Sequence, residues 1–304
     1  MAPKTDYIVV DPHGPCPCRS GKTTVTCCMA ADGSFRVKIP SPNPAGEKTG
    51  YAHPDCYLRK TNNCSQDMAA GAYFSGEVCD LLRTDVVAVD FPWDEPERPA
   101  AVHGEDINSS ILCNRHHGPL ASLDAVALQA FRNILDAVAY VTMKSLATKT
   151  TLTAVSGEGL ELWLLKLLFG AYHTVLKTED EAVLENFLPL DTGIFLNALR
   201  SGALGAPRGL YVSRFQTLSI RNRVSAEQTN PITGLWLRIG PLELELIADP
   251  VSLDMAAVRG RNFYRPSGID LIGKKRNAQI HLSGPGFATN ETARLAMTDI
   301  RSPE

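Results

Sequence analysis

Residues 112–125 read Leu-Cys-Asn-Arg-His-His-Gly-Pro-Leu-Ala-Ser-Leu-Asp-Ala, a Cys-x2-His pair that leads into apolar residues at helical spacing. Two earlier cysteines, Cys56 and Cys64, flank a short polar turn. Three thiolates and one imidazole are a common ligand set of structural Zn²⁺. The sequence therefore predicts a zinc site at the start of a helix, with the ligands Cys56, Cys64, Cys113 and His116 and with His53 as a competitor for Cys64 or His116.

A second set of four cysteines lies near the N-terminus, in the form Cys-x-Cys, eight residues, Cys-Cys. Two thiol pairs separated by a short hairpin can complete a tetrahedral shell around zinc. Gly21 suits the tight turn between the pairs, and residues 23–26 are β-branched enough to predict a return strand. The predicted ligands of this second zinc site are Cys16, Cys18, Cys27 and Cys28.

The same N-terminal stretch contains Ser20-Gly-Lys-Thr23, which ends like a nucleotide-binding P-loop. A P-loop requires a glycine five residues before Gly21, and Cys16 occupies that position. The residues that follow are poor helix formers, whereas a P-loop opens a helix. The pattern therefore favours zinc over a nucleotide.

Composition and charge are those of an ordinary globular protein, with 44% hydrophobic and 21% charged residues. The net charge of −3 provides no overall basic field for a nucleic-acid partner, although basic residues outnumber acidic ones after residue 190. No secretory signal is recognisable, so we expect a cytoplasmic protein with reduced or metal-bound thiols. The most apolar stretch, residues 160–176, contains charged side chains and predicts a buried helix.

The predicted fold class is α+β. A proline-rich connector at 40–48 is the best early boundary, and the expected domains are a zinc knuckle at 1–40, a zinc/metal module at 50–145 and a C-terminal α+β domain at 150–304. Periodicity predicts helices at about 123–139, 159–176, 180–188 and 192–200, with a break near 144–153.

After residue 209 the polar and apolar residues alternate, which predicts antiparallel strands. The alternation of Glu243 and Glu245 predicts a strand with one face in water. Late strands at 269–272 and 278–282 flank the sequence Gly273-Lys-Lys-Arg-Asn277, a predicted hairpin tip.

That tip and nearby arginines are the candidate phosphate-contacting surface. The nucleic-acid-binding residues that we predict are Lys274, Lys275, Arg276, Arg221 and Arg223, with Arg259, Arg261 and Arg265 on the same surface. A charged loop is more often simply solvated, so a solvated tip is the alternative.

Residues 14–28 resemble the SEC-C zinc motif, whose usual form is Pro-Cys-Pro-Cys-x-Ser-Gly-Lys followed by Cys-Cys or Cys-His. The resemblance implies a small appendage that docks a partner. The alternative is a metal site that merely orders the N-terminal segment.

The rest of the chain resembles the HNH (ββα-metal) endonuclease-like family. Residues 112–125 are similar to its form Leu-Cys-x-x-His-Asn-x-x-Leu-Ser-x-Leu-Asp, and residues 64–75 to its Cys-Ser-x-x-Ile-Ser-x-Glu-His-Tyr-x-Ser. The resemblance continues at 157–166 and 209–211. It implies a metal-dependent nuclease in which a histidine deprotonates water and one Mg²⁺ or Mn²⁺ stabilises the leaving oxygen.

The chain departs from this pattern at the reactive positions. Gly71 stands at the acidic position, Ala72 at the position of the general-base histidine and His117 in place of asparagine. Loss of a positioned base costs about 10²–10⁴-fold in rate, so we expect this sequence to be nearly or wholly inactive. His117 and Asp124 lie on one helix face and are the remaining candidate ligands of a catalytic metal.

Two explanations of Ala72 stay open: an engineered replacement of the catalytic histidine, or a lineage that lost catalysis and kept the module for binding. The resemblance implies a nucleic-acid partner, with DNA preferred to RNA. It also implies a role in antiviral defence. A homo-oligomer is compatible with it. The alternative function is a non-enzymatic zinc-scaffolded adaptor that docks a protein through its N-terminal knuckle.

Overall fold

The computed structural model describes residues 10–71, 75–82, 110–143, 149–178, 190–214, 223–226, 233–251, 253–284, 286–287 and 291–297. Ala72, Arg221, the side chain of Arg223 and the predicted helix at 180–188 lie outside this description. The described chain is mixed α+β.

Most of the helical residues precede residue 180, whereas the strands of the described chain all follow residue 148. The helices are α1 (Thr24–Cys27), a 3₁₀ turn (Arg59–Thr61), α2 (Gly76–Leu82), α3 (Asn114–Thr142), α4 (Gly157–Thr178), α5 (Thr192–Ser201) and α6 (Met255–Arg261). The strands are β1 (Lys149–Ser156), β2 (Gly209–Ser213), β3 (Arg223–Ala226), β4 (Gly234–Ile239), β5 (Leu242–Ile247), β6 (Asn262–Tyr264), β7 (Gly268–Ile272), β8 (Arg276–Ser283) and β9 (Thr292–Ala296).

The strands form two sheets. The first has the order β1-β8-β7-β9, in which β1 is parallel to β8, β7 is antiparallel to β8, and β9 is parallel to β7. The second is an antiparallel sheet with the order β3-β4-β5-β2-β6. Helix α3 packs on the first sheet, and α4 packs on α3 and on strands of the second sheet.

Helix α4 is the centre of the core. Its residues 157–172 are buried, as expected for a helix that is apolar on all sides. A buried helix was predicted in this stretch, and its residues Trp163, Leu164, Leu165 and Leu168 are each at most 1% exposed. Within the described part of the chain, no helix is long and apolar enough to cross a membrane.

The structure corrects four local predictions. Residues 24–27 form a short helix where a return strand was expected. Part of the predicted break at 144–153 is strand β1, whose parallel partner β8 follows more than a hundred residues later. Helix α3 begins at Asn114, well before the predicted start at about residue 123, so Asp124 lies inside the helix.

The fourth correction concerns Glu245. It was expected on a wet strand face, but it is 3% exposed and accepts a hydrogen bond of 2.7 Å from Asn262 Nδ2. Strand β5 lies between β4 and β2, and its burial pattern shows that both of its faces are covered. The polar side chain of Glu245 therefore forms a buried hydrogen bond and does not face water.

Candidate metal centres

The first ligand group consists of Cys16, Cys18, Cys27 and Cys28, whose sulfur atoms all lie within 4.8 Å of one another. A hydrogen bond of 2.9 Å from Cys16 N to Lys22 O closes the intervening turn, where Gly21 has a φ of +77°. Helix α1 then returns the chain so that Cys27 and Cys28 face the first pair. The group could hold a metal ion such as zinc.

Burial is the largest influence on the pKa of two of these thiols, Cys16 and Cys28. It raises the pKa of Cys16 to about 11 and raises that of Cys28 further. A bound cation reverses this preference, because the thiolate is the form that ligates metal. At Cys18, burial is outweighed by hydrogen bonds from Ser20 and from neighbouring cysteines, which lower the pKa and favour the metal-binding form.

Backbone carbonyls of the first ligand group attach it to the rest of the protein. Pro17 O accepts hydrogen bonds from Ala154 N at 3.0 Å and from Thr153 Oγ1 at 3.2 Å, which covers the free edge of β1. Cys18 O accepts a bond of 3.4 Å from the buried amide of Asn133. Farther on, Arg36 donates to both carboxylate oxygens of Glu158.

The second ligand group consists of Cys56, Cys64, Cys113 and His116, whose ligand atoms also lie within 4.8 Å of one another. Nδ1 of His116 lies 3.1, 3.5 and 3.7 Å from the sulfur atoms of Cys113, Cys56 and Cys64. All four residues are at most 2% exposed and belong to the main core or border it. This group could also hold a metal ion such as zinc.

His116 is prepared for metal binding by its surroundings. Its Nε2 lies 2.9 Å from Thr61 Oγ1, a partner that fixes the ring and leaves Nδ1 toward the sulfur atoms. Burial, helped by the charge of Arg115, lowers the pKa of His116 to about 4. The imidazole is therefore neutral at pH 7, and its Nδ1 lone pair is available to a cation.

The structure brings together the two four-residue sets that the spacing predicted. His53, the predicted competitor, lies outside both groups, and its Nδ1 accepts a hydrogen bond of 3.2 Å from Asp55 N. The identity of the metal is not shown by the ligands alone, although four-coordinate sets rich in cysteine are typical of zinc.

Residues 67–69 pair with residues 112–114 as a short two-stranded ribbon at the start of α3. Ala69 N donates to Leu112 O at 2.8 Å, and Asn114 N donates to Asp67 O at 3.0 Å. The chain after this ribbon brings Gly71 against the first turn of α3. A Cβ atom at position 71 would lie 2.4 Å from Nε2 of His117, closer than two such atoms can approach. The ring of His117 thus occupies the space that a side chain at position 71 would need.

Asp124 lies two turns along α3 from His117 and is bound by α4. Lys166 Nζ donates to both of its oxygen atoms, at 2.7 and 2.6 Å, and Trp163 Nε1 donates to Oδ1 at 2.9 Å. Burial lowers the pKa of Lys166, and the Asp124 carboxylate counteracts that effect. Burial and then the charge of Lys166 lower the pKa of His117.

Sequence reasoning missed Lys166 and Trp163 as site residues. Both lie in the apolar stretch that predicts a buried helix, where charged side chains were noted without partners. A lysine inside an otherwise apolar helix was the available signal, because such a charge requires a partner. The partner itself, Asp124, lies 42 residues away.

The candidate basic surface is only partly a surface. Lys274 and Lys275 are exposed at the turn between β7 and β8. The guanidinium of Arg276 lies 4.7 Å from the centre of the Tyr140 ring and is half-buried. Arg265 was wrongly assigned to this surface, because it is 5% exposed and donates to both oxygens of the buried Glu161.

Comparison with protein-family models, with curated proteins and with solved structures gave no match.

Proposed function

We propose that the chain binds nucleic acid through an HNH-like module that lacks its catalytic base. The observation that carries this proposal is the juxtaposition of Gly71 with His117. In the HNH-like pattern, a segment after the first cysteines supplies the acidic residue and the base. The helix that the later Cys-x2-His pair opens supplies the third residue of the same site. The contact between Gly71 and His117 is consistent with that arrangement.

The second ligand group supports the same proposal, because it fixes the start of α3 beside the ribbon. Cys113 is the N-cap residue of α3, and Met68 pairs with Cys113 across the ribbon. A site held by a metal-bound scaffold keeps its shape even where reactive side chains are missing. Hydrogen and methyl at positions 71 and 72 neither accept a proton nor ligate a metal, so we expect binding without hydrolysis.

The decisive experiment compares plasmid cleavage by this chain and by its Ala72→His form, with Mg²⁺ or Mn²⁺. We expect the histidine form to cut at least about 10²-fold faster. Ala72→Gln is the matched control, because it adds a polar side chain of similar length that cannot act as a base. If neither form cuts while both are folded and zinc-loaded, the nuclease-derived module is rejected.

The acidic position needs a paired change, since a side chain at 71 collides with His117. We therefore expect Gly71→Asp to be tolerated only together with His117→Asn, which shortens the opposing side chain. Adding this pair to Ala72→His should increase cleavage further. Equal cleavage with and without the pair would remove position 71 from the proposed site.

Nucleic-acid contact is proposed at the exposed tip. Lys274→Glu with Lys275→Glu should weaken binding and flatten its dependence on salt, because each lost phosphate contact reduces the salt slope. Lys22→Glu with Lys38→Glu is the matched control for the same change in net charge elsewhere on the surface. Equal weakening by both pairs would indicate a general charge effect and exclude the tip.

The alternative function is docking of a protein through the first ligand group. Val25 on α1 supports it, because this hydrophobic side chain is 44% exposed. The bonds of Pro17 O to β1 and of Cys18 O to Asn133 on α3 favour a simpler role, in which the first ligand group attaches the N-terminal segment to the rest of the protein. Capture of a defined partner that is lost on Val25→Asp, with zinc content unchanged, would support the adaptor.

A further inference from the structure

The surroundings of Asp124 decide which cation this carboxylate holds. Lys166 binds both oxygen atoms and Trp163 adds a third hydrogen bond, so most of the acceptor capacity of the carboxylate is used. The side chains of Lys166 and Asp124 are 4% and 18% exposed. A buried lysine needs a paired charge, and Asp124 is the acidic residue that provides it here.

The position of His117 points in the same direction. Seven residues separate it from Asp124, which is about 10 Å along the axis of α3. A shared metal ion would need both side chains to turn toward a common point, with ligand atoms about 2 Å from the ion. The carboxylate is instead directed to α4, and the His117 ring lies against the backbone of Gly71.

We propose that the ammonium group of Lys166 is the resident cation of Asp124, and that Asp124 does not ligate a divalent metal in this chain. Lys166 is a positioning residue: it fixes Asp124 and places a positive charge beside the module. The proposal refines the cation chemistry of the proposed HNH-like site, but it does not depend on nucleic-acid binding. It replaces the expectation that His117 and Asp124 hold Mg²⁺ or Mn²⁺ together, so a divalent ion used by the Ala72→His form in the plasmid assay must be held without Asp124.

The test measures Mn²⁺ binding by electron paramagnetic resonance. It uses protein whose two cysteine groups carry zinc. Mn²⁺ is a suitable probe because it prefers oxygen ligands and competes poorly for thiolates. We expect the parent chain and Asp124→Asn to bind Mn²⁺ equally weakly. Lys166→Met should bind one Mn²⁺ at least about tenfold more tightly, within the 10–100-fold range by which partners of a ligand change metal affinity.

Two controls separate the ion pair from general effects. Lys166→Met with Asp124→Asn should lose the gained Mn²⁺, and Lys166→Arg should gain none because it keeps the charge. Mn²⁺ bound by the parent chain and lost in Asp124→Asn would overturn the proposal. So would a folded, zinc-loaded Lys166→Met protein that gains no Mn²⁺.

If Lys166→Met does not fold, the comparison of the parent chain with Asp124→Asn still decides. Equal Mn²⁺ binding by the two supports the proposal, and stronger binding by the parent chain overturns it. Because no nucleic acid is present, neither result depends on the plasmid assay.

Discussion

The two ligand groups show how differently the same chemistry can be built into one protein. The first group lies in a small cluster of its own, with Cys27 partly exposed, and is attached to the body through backbone carbonyls. The second is at most 2% exposed and is continuous with the main core. A metal in the first group should therefore stabilise one segment, whereas a metal in the second should stabilise the core itself.

The largest effect should follow from breaking the second group. Cys113→Ser removes a ligand at the N-cap of α3 and leaves three buried ligands without a complete shell. We expect a loss of at least about 4 kcal/mol in the free energy of unfolding, as for other lost metal sites. Urea unfolding followed by circular dichroism, with zinc content measured in parallel, tests this. A fully stable variant would show that the core does not depend on this metal.

A smaller and more local effect should follow from breaking the first group. Cys16→Ser should cost about 1–3 kcal/mol, the range for a few lost hydrogen bonds to buried partners. Hydrogen exchange should become faster in residues 10–39 and at the β1 edge, while α4 keeps its protection. If Cys16→Ser and Cys113→Ser unfold the chain equally, the contrast between the two groups is wrong.

The hydrogen bond between Thr61 and His116 also distinguishes the two ligand groups, because the first group contains four cysteines and no histidine. Thr61→Val removes the hydroxyl 2.9 Å from Nε2 and keeps the shape of the side chain. We expect about tenfold weaker zinc binding at the second group, the low end of the range for lost ligand partners. Competition with a chelator measures it, and Thr26→Val beside the first group is the matched control.

The smallest effect concerns His281, whose ring lies edge-on to Phe35 at 5.3 Å. Burial lowers its pKa below 6.5, so below that pH the unfolded chain binds a proton that the folded chain does not. Stability is therefore fully present above pH 6.5 and falls as the pH drops below it. His281→Gln should lose this part of the slope.

Thermal melts of both chains between pH 7.5 and 5.5 check the His281 prediction. Loss of zinc at low pH affects the two chains alike, so the difference between them reports His281. Parallel curves would contradict it.

Spacing in the sequence was sufficient to predict the eight candidate metal ligands, because the ligands of small metal sites come in closely spaced pairs. It was also sufficient for the apolar helix α4 and for the hairpin of β7 and β8. It was insufficient for β1, whose strand partner in the described chain is the distant β8, and for α1, where closing the turn between cysteine pairs outweighs β-propensity. Sequence patterns predicted that Glu245 and Arg265 are exposed, whereas both are buried. Neither alternation nor charge shows whether other parts of the fold cover a residue.

The sequence by itself determined which residues could hold metal, since residue type at fixed spacing is what defines a ligand group. Only the tertiary structure decided the partners of the buried charges of α4. Glu158 pairs with Arg36, Glu161 with Arg265, and Lys166 with Asp124. Each partner comes from a distant segment. A buried charge requires a partner, but the sequence does not specify which residue provides it.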